Sequence, residues 1–184
     1  MQIEDTAIEA VKIVTPKKFC DHRGFFSEVY SREAFFKAGL DLNFIQDNHS
    51  VSAEVGIIRG MHFQSPPFAQ DKLVRVARGR ILDVAVDLRK GSKTFGRHVA
   101  VELSRENWRQ LLVPVGFAHG FCTLEPDTEV LYKVTNLYAP ANDHGLAFDD
   151  PALGIDWGID IAKAILSDKD RRHPKLADLP LVFG

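Results

Sequence analysis

Two cysteines, two methionines, two tryptophans and three tyrosines are all this chain of 184 residues holds of its scarcest side chains. Cys20 and Cys122 form no C-x-x-C pair, so there is no disulfide framework to build on; two buried, reduced thiols are expected. No apolar run approaches the roughly 20 residues of a membrane-crossing helix. The opening MQIEDTAIEAVKIV lacks the basic-then-apolar order of a signal peptide. Charge of one sign is also missing. Lys and Arg number 23 against 25 Asp and Glu, for a net charge of −2, and no basic run forms a nucleic-acid arm. These absences predict a soluble, cytoplasmic protein with neither nucleic-acid nor membrane partners. The length suits a single domain, residues 1–184, able to bury a full core.

Helical periodicity is scarce too. Ser31 is placed to cap a short helix through REAFFKA that Gly39 ends, and the tail after Asp168 has room for another. Short β-type runs fill the rest: IEAVKIVTP, GFFSEVYS, GIIRGMHFQ, KLVRVARGRILDVAVDLR, HVAVELS, RQLLVPVGFAHGFCTL and TEVLYKVTNLY. Each carries β-branched or aromatic residues and ends in turn-forming ones. The clearest runs from Leu73 to Leu88. There Leu82, Val84, Val86 and Leu88 share one face, Ile81, Asp83, Ala85 and Asp87 the other, and Arg78-Gly79-Arg80 makes the turn. Many short strands in a chain of this size predict a β-sandwich or barrel.

Two motifs place a site on these strands. Gly56 to His62 fits G-x5-H, and Pro114 to His119 fits P-x-G-x2-H. In this order they resemble the signature motifs of the cupin jelly roll, where the first supplies His, His and Glu to a metal and the second a further His. The expected fold is therefore all-β: a cupin-type double-stranded β-helix (jelly roll) with a few short peripheral helices. The departures say more than the match. Gln64 stands at the second histidine, and Lys72, separated from Gly79 by six residues, stands at the glutamate. A divalent ion wants imidazole and carboxylate donors; an ammonium has no lone pair and repels it. No metal is expected on this set.

A cation beside two histidines suits chemistry in which negative charge develops on a substrate, such as enolate formation beside a ketone. Histidine is suited to take the proton, and it needs a carboxylate to fix its tautomer, which spacing does not identify. Tyr132 shares a strand face with Val130 and Val134. It is either an acid across the substrate or a core aromatic with a satisfied hydroxyl. Period-2 alternation puts Arg59 on the face opposite His62 and Gln64 unless Gly60 marks a bulge.

FCDHRGFFSEVYS, FIQDNHSVS, the long run from GIIRGMHFQ to KTFGR, VPVGFAHGFCTL, VLYKVTNLYAP, DDPALGIDW and ILSDKD together resemble the dTDP-4-dehydrorhamnose 3,5-epimerase family, from about Phe19 to Asp170. The resemblance implies an epimerase that needs no cofactor and acts on a dTDP-sugar. It implies His62 as general base, Asp170 as its orienting carboxylate, Lys72 as the group on the enolate oxygen, Tyr132 as the acid of the opposite face, and His119 as a substrate contact. It further implies Arg23, Glu28, Gln46 and Asn48 as nucleotide contacts, Arg59 as a diphosphate ligand, Tyr138 stacking on thymine and Phe26 helping to enclose it. Asp143 stands where the family usually has Glu, and Lys169 where Lys or Arg is usual; both are substrate-binding candidates. A homodimer that exchanges N-terminal strands is implied as well. Without the resemblance, Arg23, Glu28 and Arg59 read as surface ion pairs, and Asp170 as part of a solvated, charged tail. A relative that inverts one carbon, a 3,4-ketoisomerase, a metal-dependent cupin oxygenase and a non-catalytic sugar-binding cupin stand as alternatives.

Overall fold

The structure, a computed structural model, describes residues 1–180 and 182–184. Thirteen strands are present among the described residues: β1 Gln2–Asp5, β2 Lys12–Thr15, β3 Phe19–Asp21, β4 Gly24–Phe26, β5 Gln46–Ser52, β6 Ile58–Gln64, β7 Lys72–Arg78, β8 Arg80–Asp87, β9 His98–Ser104, β10 Gln110–Val113, β11 Phe117–Thr123, β12 Thr128–Val134 and β13 Asp143–Gly145. One α-helix, α1, covers Arg32–Lys37, with Ser31 accepting a hydrogen bond from the Ala34 N–H. The strands form a six-stranded sheet in the order β1-β2-β10-β7-β12-β5 and a five-stranded sheet in the order β13-β6-β11-β8-β9; β3 and β4 make a separate hairpin. All the pairings between these strands are antiparallel, and most join strands distant in sequence, as in a jelly roll.

Three apolar clusters hold this arrangement. Val74, Val76, Leu111 and Val130 from the first sheet meet Ile81, Ala85, Leu103, Phe117 and Phe121 from the second. Outside the second sheet, Ile58, Met61, Phe63, Val84 and Val86 pack under a C-terminal cover that includes Leu146, Leu153 and Trp157. The strand β8 is thus buried on both faces, which is why both of its alternating faces read as apolar apart from Asp83 and Asp87. Phe35 of α1 covers the outside of the first sheet with Val14, Leu73 and Leu112. Burying such side chains contributes roughly 1.5–3 kcal/mol each.

Some sequence expectations are corrected. Of GFFSEVYS only Gly24–Phe26 is strand, because its hairpin finds no place in either sheet. The tail after Asp168 holds short 3-10 turns at Asp170–Arg172 and Leu176–Asp178 rather than an α-helix. Cys122 is buried but Cys20, on the β3–β4 hairpin, is exposed. The polar QDNHSVS, which lacks an apolar face, is nonetheless an edge strand held by seven partners on β12.

The bulge at Gly60 matters most. His119 pairs with His62 and Phe121 with Arg59, so three steps along β6 match two along β11. The extra residue returns Arg59 to the face of His62. Only glycine fits there: φ is +135°, and a Cβ would lie 2.5 Å from the Gly120 Cα and 2.9 Å from the His119 carbonyl oxygen.

Candidate active site

The mouth of the jelly roll opens into a cavity of about 500 Å³ whose lining includes Arg59, His62, Lys72, His119, Tyr132 and Asp170. His62 and Arg59 come from β6 and His119 from β11, in one sheet; Lys72 opens β7 and Tyr132 sits on β12, in the other. Residues far apart in sequence therefore face each other because the two sheets do.

His62 Nε2 lies 2.7 Å from Asp170 Oδ1. Asp170 is 5% exposed and also accepts from the Gly60 N–H at 3.4 Å. Burial pushes its carboxyl up, but the His62 hydrogen bond and charge, the Gly60 N–H and His173 together outweigh burial and hold it below the ordinary value. A carboxylate at that position fixes Nε2 as the protonated nitrogen and leaves the other ring nitrogen free to take a proton. His119 repeats the arrangement with Asp83: Nε2 to Oδ1 is 2.5 Å, both residues are buried, and Asp83 Oδ2 has no partner among the described residues. Sequence reasoning missed Asp83; the available signal was a strand face on which two acids, Asp83 and Asp87, alternate with Ile81 and Ala85.

Lys72 Nζ donates to the His62 carbonyl oxygen at 3.4 Å. Burial pulls its ammonium down to about 8, against the opposing pull of Asp83 and Asp143. Burial also raises the Tyr132 phenol, with Arg59 working the other way, so the hydroxyl keeps its proton at neutral pH. The Arg59 guanidinium reaches across to the first sheet, where it donates to Ser52 Oγ at 3.1 Å and to the Val51 carbonyl at 3.0 Å.

A second cavity of about 350 Å³ adjoins the first and brings in Gln46, Asn48, Tyr138 and Asp143, while Lys169 lines both. Gln46 Nε2 donates to Asn48 Oδ1 at 2.8 Å. The Tyr138 hydroxyl donates to Asp143 Oδ2 at 2.9 Å, and the Lys169 ammonium pairs with the same oxygen. Three candidates stand outside both cavities. Arg23 pairs with Asp21 at 2.6 Å, Phe26 is 67% exposed, and Glu28 is exposed. Gln64, at the cupin ligand position, is fully engaged elsewhere. Its amide donates to the Phe68 and Leu137 carbonyls at 2.6 and 3.0 Å and accepts from the Ala139 N–H at 2.7 Å.

A histidine paired with a buried carboxylate, a cation and a protonated phenol around one cavity in a jelly roll are the groups that an isomerase working on an acidic carbon requires. The family model for dTDP-4-dehydrorhamnose 3,5-epimerase matches residues 5–178. An enzyme of that name from Sinorhizobium fredii is 51% identical over 183 residues, covering 100% of this chain and 93% of its own. Among solved structures, the Legionella pneumophila dTDP-6-deoxy-D-glucose-3,5-epimerase in complex with dTDP-4-keto-L-rhamnose superposes with a TM-score of 0.94 at 41% identity, covering 99% of this chain and 97% of its own. The Bacillus anthracis dTDP-4-dehydrorhamnose 3,5-epimerase with TDP and PPi bound has a TM-score of 0.91 at 48% identity, covering 95% and 98%. This chain belongs to the dTDP-4-dehydrorhamnose 3,5-epimerase family, and it is an isomerase of the carbohydrate epimerase class.

Proposed function

We propose that the chain converts dTDP-4-keto-6-deoxy-D-glucose to dTDP-4-keto-L-rhamnose, inverting C3 and C5 in the synthesis of dTDP-L-rhamnose. The observation that carries this is the origin of the two proton-handling groups. The His62–Asp170 pair stands on one sheet and its C-terminal cover, Tyr132 on the opposing sheet, and both line one cavity. Inversion needs a base on one face of a carbon and an acid on the other. In each half-reaction the free nitrogen of His62 takes the proton beside the C4 ketone, and the C–H electron pair moves to give an enolate. The Lys72 ammonium stabilises the charge on the C4 oxygen. The Tyr132 hydroxyl then returns a proton to the opposite face, and solvent restores both groups for the second carbon. Paired with the buried Asp83, His119 is suited to hold a sugar hydroxyl or the ketone. The chemistry proposed uses no metal or organic cofactor.

The second cavity suits the nucleotide. Gln46 and Asn48 offer amides to a pyrimidine edge and the exposed Tyr138 ring offers a stacking surface, while Arg59, in the adjoining first cavity, offers a fork for the diphosphate. Lys169 and Asp143 form the polar rim between the two cavities. Arg23 and Phe26 lie away from both, on a hairpin with exposed Phe19 and Phe25, and Glu28 follows two residues after it. These features support a homodimer in which that segment completes the partner subunit's site. No helix among the described residues is long and apolar enough to cross a membrane. A nucleotide-activated sugar as substrate supports a place in the cytoplasm.

The test follows deuterium from D2O into the substrate by NMR. Incorporation with inversion at both C3 and C5 is expected. Incorporation at one carbon points to a narrower epimerase or a ketoisomerase, and none points to a binding protein. Chelation should leave the activity intact. Activity that depends on stoichiometric iron, manganese or nickel would indicate an oxygenase-type cupin instead.

A further inference from the structure

The His62–Asp170 pair has a third neighbour that the reaction leaves unused. His173 follows Asp170 by three residues, its side chain is 7% exposed, and neither ring nitrogen has a hydrogen-bond partner among the described residues. A buried imidazole without a partner is unfavourable and calls for an explanation. Its ring stands edge-on to the His62 ring with centroids 5.4 Å apart, and its Nε2 is 4.0 Å from Asp170 Oδ1, too far for a hydrogen bond. The slot is kept open by Gly145, which pairs with His62 across β13 and β6; a Cβ there would sit 2.2 Å from atoms of the His173 ring.

One nitrogen from each histidine and one Asp170 oxygen lie within 4.8 Å of one another. Two imidazoles and a carboxylate are the donor set of zinc-class cations, with bonds of roughly 2.0–2.2 Å, and two such bonds span the gap between Asp170 and His173. We propose that His62, Asp170 and His173 form an inhibitory site for a borderline divalent cation such as Zn²⁺ or Co²⁺, its fourth position open to the cavity. This set shares only His62 with the cupin pattern. The ion takes the place of the proton on His62 Nε2, which leaves to solvent. Asp170 then binds metal rather than orienting the base, and the metallated ring loses basicity at its other nitrogen. The Lys72 ammonium at the same cavity opposes the ion and keeps the binding reversible. Inhibition rests on His62 being the base; binding does not.

The test titrates Co²⁺ into the full chain carrying Cys20→Ser, which removes the exposed thiol, and reads the visible d–d absorption of bound cobalt. One ion per chain is expected, displaced by Zn²⁺, with epimerisation falling in parallel and restored by EDTA. His173→Leu should weaken binding by at least the roughly 10–100-fold lost when even an outer partner of a metal ligand is removed. His173→Cys should restore binding and add a thiolate-to-cobalt charge-transfer band. That band requires a folded site and separates ligation from a structural role. Absence of d–d absorption, or unchanged affinity in His173→Leu, overturns the proposal. Binding that depends on His173 but leaves epimerisation untouched overturns inhibition and the assignment of His62 as base, while the ion site stands.

Discussion

Replacing Asp170 by asparagine keeps the shape of the side chain and changes what His62 can do. Asp170 Oδ2 accepts from the Gly60 N–H while Oδ1 faces His62 Nε2 at 2.7 Å. In Asp170→Asn the amide oxygen stays on the Gly60 N–H, so the NH₂ group takes the Oδ1 position. A donor there forces Nε2 to accept, and the ring proton moves to the nitrogen that must act as base. Reversing a catalytic tautomer in this way costs on the order of 10³–10⁴-fold in turnover. That corresponds to about 4–5.5 kcal/mol of barrier at about 1.4 kcal/mol per tenfold. Nucleotide affinity should be nearly unchanged, because Asp170 does not line the second cavity. The assay is the rate of deuterium incorporation at C3 and C5 by NMR, beside dTDP affinity by calorimetry. Turnover within tenfold of the parent enzyme, with dTDP affinity intact, would refute the tautomer argument.

Lys72 should give the rate profile an alkaline limb. As pH rises through about 8 the ammonium loses its proton and with it the charge proposed to hold the enolate. In Lys72→Arg that limb should move above about pH 10, at reduced turnover. Because the folded-state value lies below that of the unfolded chain, the buried ammonium destabilises the fold while it is charged. Lys72→Met should therefore raise the melting temperature below pH 8, the gain fading as pH approaches 10.5, while activity is lost. Tyr132→Phe should still exchange solvent deuterium into the substrate but fail to invert the carbon, since the proposed base is His62; NMR of recovered substrate checks this. Gly60→Ala should cost roughly 3 kcal/mol or more in chemical denaturation, because a Cβ would lie 2.5 Å from the Gly120 Cα at a φ of +135°.

The strands that carry His62, Lys72, His119 and Tyr132 were legible because each alternates and ends at a turn. The Arg78–Arg80 turn was legible as well: β7 ends at Arg78, β8 begins at Arg80, and Gly79 has a φ of +76°. Local pattern could not find Asp170, which lies 108 residues from its histidine in a charged run and becomes buried only when the tail folds back over β6. It also left the face of Arg59 undecided, since a bulge is a relation between two strands and β11 supplies the second. QDNHSVS escaped because its pairing with β12, rather than any apolar face, makes it a strand. The family resemblance supplied Asp170 as the partner of His62 and named candidates for the nucleotide contacts, of which Arg23, Phe26 and Glu28 lie outside both cavities. It did not supply Asp83 or His173, whose significance lies in what surrounds them.

The central claim is that His62, oriented by Asp170, removes the proton beside the ketone and does not bind the nucleotide. The direct measurement is solvent deuterium exchange into dTDP-4-keto-6-deoxyglucose by His62→Ala, paired with dTDP affinity on the same preparation. Exchange at C3 and C5 should vanish while dTDP affinity stays nearly intact. Full exchange in His62→Ala would contradict the account and place the base elsewhere.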